Sequence, residues 1–77
     1  MFLMILEKIE EQIKKYTGAY VFVNALPDLR VCFRANINEE DKELLLNDLD
    51  LVLPYGLTFS HEYENGHLTV KFKEVVQ

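Results

Sequence analysis

The chain has one cysteine, Cys32, no tryptophan, three glycines and two prolines among its 77 residues. A lone cysteine excludes a disulfide framework within one chain. The apolar start, Met1-Phe-Leu-Met-Ile-Leu6, has neither a basic region before it nor a small-residue cleavage site after it. The expected setting is therefore reducing and cytoplasmic. No stretch approaches the roughly 20 apolar residues that would span a membrane. Gly18, Gly56 and Gly66 each fall at a helix end or a turn, so no glycine-rich phosphate loop exists. Basic residues are scarce too: eight Lys and Arg stand against thirteen Asp and Glu, a net charge of −5. An acidic field disfavours a phosphate backbone and favours a basic partner.

The acidity is concentrated in one segment. Residues 1–16 balance Glu7, Glu10 and Glu11 with Lys8, Lys14 and Lys15. Residues 38–53 set Glu39, Glu40, Asp41, Glu43, Asp48 and Asp50 against Lys42 alone.

What is present in quantity is an alternation of helical and strand periodicity, repeated once. Phe2, Ile5 or Leu6, Ile9, Ile13 and Tyr16 recur at helical spacing, which predicts a helix over 2–16 that ends at Thr17-Gly18. Strands are predicted at 19–26 and 29–35 around Pro27-Asp28. Asn38 is a good N-cap, with acids behind it, for a helix that stops before Pro54. Strands at 57–64 and 67–75 flank Asn65-Gly66, the strongest short hairpin signal. The last strands of the two halves echo each other, Leu29-Arg-Val-Cys-Phe-Arg34 against Leu68-Thr-Val-Lys-Phe-Lys73. The fold class is α+β, in αββαββ order, as a single domain over 1–77. Two helices are expected on one face of a four-stranded, mainly antiparallel sheet, with an internal αββ pseudo-repeat over about 2–35 and 38–75.

The Asn65-Gly66 turn pairs Glu64 with His67, Tyr63 with Leu68, His61 with Val70 and Phe59 with Phe72. Phe59, His61, Tyr63, Leu68, Val70 and Phe72 then face the helices. Hairpin 1 is open to two registers. One turns Tyr20 and Phe22 inward and Val21 and Val23 outward, and the other does the reverse. The expected core is Phe2, Leu6, Ile9, Ile13, Tyr16, Phe22 or Val23, Val31, Phe33, Leu45, Leu49, Val52, Phe59, Val70 and Phe72.

No catalytic constellation emerges. His61 and His67 point to opposite faces and cannot converge on a metal. Cys32 lies beside Arg30 and Arg34 but lacks a base. Ser60-His61 are sequence neighbours on opposite faces. Neither a cofactor nor a metal is expected, and the chain reads as a non-enzyme.

Two surfaces carry binding chemistry instead. On the second helix, Leu44 and Leu51 lie one heptad apart, off the core stripe, among acids. Glu40, Glu43, Leu44, Asp48, Asp50 and Leu51 form a candidate site for a protein with a basic surface. On the outer sheet face, Val21, Val23, Arg30, Cys32, Arg34, Lys71 and Lys73 are candidates for a homodimer contact, which would answer the small core of so short a chain. The alternative is single-stranded nucleic acid on Arg30, Arg34, Lys71 and Lys73, which needs Tyr20 and Phe22 outward for stacking. A solvated sheet face is the remaining possibility. In size, acidity and lack of catalytic parts the chain resembles the regulators and inhibitors encoded by phages and other mobile elements.

Overall fold

Asn38 starts the second helix as the sequence predicts. Its Oδ1 accepts from the Asp41 N–H at 2.8 Å, satisfying one of the donors a helix leaves open. The computed structural model describes residues 2–25, 31–54 and 56–74, with side chains at 6–22, 32–54 and 56–73. Its elements run α1 (Phe2–Lys14), β1 (Tyr20–Ala25), β2 (Val31–Asn36), α2 (Glu39–Val52), β3 (Leu57–Glu64) and β4 (His67–Glu74). The four strands form one antiparallel sheet in the order β1-β2-β4-β3.

Hairpin 2 follows the expected register residue by residue, from Glu64↔His67 to Phe59↔Phe72. Asn65 and Gly66 both have positive φ, 51° and 81°, the geometry a two-residue hairpin turn requires. In hairpin 1 the pairs Tyr20↔Ala35 and Phe22↔Phe33 put Tyr20 and Phe22 on the same side as buried Phe33. The register with those aromatics outward is not adopted. Pairing is interrupted between Phe22 and Asn24, a bulge at Val23 that bends this edge strand.

One core joins both helices to one face of the sheet. Ile9 and Ile13 come from α1, and Leu45 and Leu49 from α2. Phe33, Ala35, Leu68, Val70 and Phe72 come from the two central strands. Leu6, Tyr16 and Phe59 pack against it only partly buried. Val52, expected inside, is half-buried. The chain turns extended at Leu53 (φ −69°, ψ 133°), and Leu53 packs against the core instead. Ile37, between β2 and α2, is buried as well. The side chains of Phe2, Val23 and Val31 lie outside the described residues. So does Arg30 altogether.

Tyrosine hydroxyls tie the layers together. Tyr16 donates to Asp48 Oδ2 at 2.5 Å, joining the segment after α1 to α2. Tyr20 donates to Glu10 Oε2 at 2.6 Å, joining β1 to α1. Tyr63 donates to the Ile37 carbonyl at 2.8 Å, joining β3 to the connection before α2.

Candidate protein-interaction surfaces

The core stripe of α2 fixes what its other sides present. With Leu45 and Leu49 fully buried, 100° steps carry Leu44 and Leu51 well off the core direction. Leu44 is 50% exposed and Leu51 82%. Glu40, Glu43, Asn47 and Asp50 are exposed around them. The helix thus shows two leucines seven residues apart within an acidic surround.

Lys42 sharpens this surface by leaving it. It is only 9% exposed. Its Nζ lies 4.8 Å from the centroid of the Tyr63 ring and 3.0 Å from Glu43 Oε1. The ammonium is thus held over the ring face in a cation–π contact, beside a carboxylate. The spacing to Leu45 and Leu49, three and seven residues, is the signal that places it on the core side.

Asp48 is committed elsewhere. It is half-buried and accepts from Tyr16, with Lys15 Nζ at 3.7 Å. That hydrogen bond, then partial burial and the charges of Asp48 and Asp41, raise the Tyr16 phenol above its ordinary value. Glu10 acts likewise on Tyr20, chiefly through the hydrogen bond, then through burial and charge. The exposed surface of α2 therefore includes Glu40, Glu43, Leu44, Asp50 and Leu51, with Asp48 only half-buried beside them.

The outer sheet face is ordered by cross-strand pairing. Val21 lies opposite Arg34, which pairs with Thr69, which pairs with Glu62. Cys32 lies opposite Lys71, which pairs with Ser60, and Lys73 pairs with Thr58. Arg34, Lys71 and Lys73 are exposed, as are Glu62 and Glu64 at the β3 side, and Cys32 is half-buried. Among the described residues the apolar groups of this face are Val21, 59% exposed, and Cys32. The aromatics that base stacking needs, Tyr20 and Phe22, sit on the opposite face. Tyr20 packs edge-on to Phe22, and Phe22 edge-on to Phe33, at 6.2 and 6.1 Å between centroids.

Other chemistry is sparse. Among the described residues no group of three or more His, Cys, Asp and Glu could hold a metal ion. No described helix is long and apolar enough to cross a membrane. His61 is on the helix side of β3 yet exposed, because the core is centred on β2 and β4. No protein-family model matches the chain, and no curated protein or solved structure shows significant similarity to it.

Proposed function

We propose that this chain is a non-enzymatic interaction module, a small acidic regulator or inhibitor of the phage type, and that α2 captures a protein through a basic surface. The observation that carries this reading is the pair Leu44 and Leu51, exposed at one-heptad spacing and ringed by acids, with the helix's one cation folded beneath. Two leucines give a contact its desolvated centre, and the acids select a cationic rim. The matching surface has apolar side chains at similar spacing flanked by Lys and Arg, as on a nucleic-acid-binding protein's own site.

The test is affinity capture from the native host with wild-type protein and with the variant Glu40→Lys, Glu43→Lys, Asp50→Lys. Asp48 is left intact because Tyr16 depends on it. A basic protein retained at low salt by wild type and lost by the variant, at unchanged far-UV circular dichroism, is the expected result. Retention by the charge-reversed protein removes the acidic-helix reading.

We also infer that the fold is an internal duplication of an αββ unit. Two features support this. The last strands of both halves are central neighbours, and Cys32 and Lys71, positions that the echo of 29–34 in 68–73 makes equivalent, pair directly with each other in their antiparallel ladder.

A further inference from the structure

The two edges of the sheet are not alike. β1 is short and bulged, a common way to blunt an edge. β3 is eight residues long, has no proline or bulge, and pairs with β4 along its whole length. Its middle, Ser60-His61-Glu62, is exposed on both faces.

The direction of its open backbone groups follows from the turn. In a two-residue hairpin the residues flanking the turn form a hydrogen-bonded pair. Glu64, Glu62, Ser60 and Thr58 therefore turn N–H and C=O toward β4. Tyr63, His61, Phe59 and Leu57 turn theirs to the open edge. Consistent with this, the Leu57 N–H donates away from β4, to the Pro54 carbonyl at 3.2 Å.

We infer that β3 pairs with β3 of a second copy, antiparallel about a twofold axis at His61, joining two four-stranded sheets into one. The strand is self-complementary in this register. Phe59 falls opposite the partner copy's Tyr63, an aromatic pair on the helix side. On the outer side Ser60 falls opposite Glu62, and Thr58 opposite Glu64, so each acid meets a hydroxyl. A shift toward the turn, with the axis at Glu62, sets Glu62 against its own copy. A shift the other way, with the axis at Ser60, draws on the Leu57 N–H that Pro54 already holds. Centred on His61, every edge N–H from Phe59 to Tyr63 finds a carbonyl, about six bonds across the axis by the antiparallel pattern.

This inference does not depend on the α2 reading, and salt separates them. Two chains of net charge −5 repel, so self-association tightens as salt rises, whereas acid–base docking weakens. The experiment is sedimentation equilibrium over a concentration series at low and high salt. Wild type is expected to double its mass with concentration, at lower concentration in high salt. His61→Pro removes an N–H that β4 does not use, and His61→Glu sets like charges together at the axis. Both are expected to remain monomeric with unchanged circular dichroism. In a Cys32→Ser background, His61→Cys is expected to oxidise to a linked dimer and Ser60→Cys is not; this comparison decides the matter if the other variants fail to fold. A wild-type chain monomeric at every concentration overturns the inference. So does a dimer that persists in both His61 variants, which would lie elsewhere, for instance across the outer sheet face.

Discussion

Leu49 and Leu51 are the same residue type on the same helix, two positions apart, and α2 places them on different faces. Leu49 has no exposed surface, whereas Leu51 is 82% exposed. Leu49→Ala removes buried methyl groups and leaves a cavity, at a cost of about 3 kcal/mol within a usual range of roughly 2–5. A chain of this length has a total stability of roughly 4–12 kcal/mol. The substitution therefore removes a large part of it and lowers the melting temperature by about 15 °C or more. Leu51→Ala exchanges an exposed leucine for a better helix former, and stability is expected to stay within about 0.5 kcal/mol. Partner capture should show the opposite pattern. Burying Leu51 in an interface is worth roughly 1.5 kcal/mol, so its loss weakens binding about tenfold. Leu49→Ala should bind normally at temperatures where it is folded. Urea titration followed by circular dichroism gives the stabilities, and binding is measured on the same samples. Equal destabilisation by the two substitutions would refute the assignment of the helix faces, and with it the docking stripe.

Two further expectations concern the polar ties. Asn38→Ala removes the acceptor of the Asp41 N–H and should cost about 1 kcal/mol in denaturant titration; no change would mean that water caps the helix equally well. The Tyr16 and Tyr20 phenols are raised above 10 by their carboxylate partners. Their stabilisation is thus complete below the unfolded value near 10 and is lost as pH climbs through the higher folded values. Stability should fall above pH 10, less steeply in Tyr16→Phe with Tyr20→Phe, and tyrosinate absorbance of both residues appearing at or below pH 10 would contradict the hydrogen-bond assignments.

The parts of this fold legible in the sequence are those with a local physical cause. Asn65-Gly66 permits essentially one tight turn, and a two-residue turn sets every pair of hairpin 2. Pro27-Asp28 specifies no turn type. The bulge at Val23 inserts one residue without disturbing the apolar pattern, so hairpin 1 stayed open between two registers. Asp48 read as a docking acid because its partner, Tyr16, is 32 residues away and no periodicity links them. Lys42 was legible in principle, since it shares the spacing of Leu45 and Leu49, but a charged residue next to acids reads first as solvated. Ile37 is buried although it belongs to no periodic segment. The position of β4 between β2 and β3 is likewise a nonlocal fact, set by packing and not by any short stretch of chain.

That position governs how the molecule can be made. β2 has only β1 beside it until residues 67–74 arrive, and the pairs Val31↔Phe72 and Phe33↔Val70 close loops of about 40 residues, among the slower steps in folding. A nascent chain that has emerged only through α2 holds two amphipathic helices and one bulged ribbon, with the flank of β2 bare. The keystone strand thus leaves the ribosome after both helices and the three other strands, and until it docks the bare flank of β2 is open to wrong pairing.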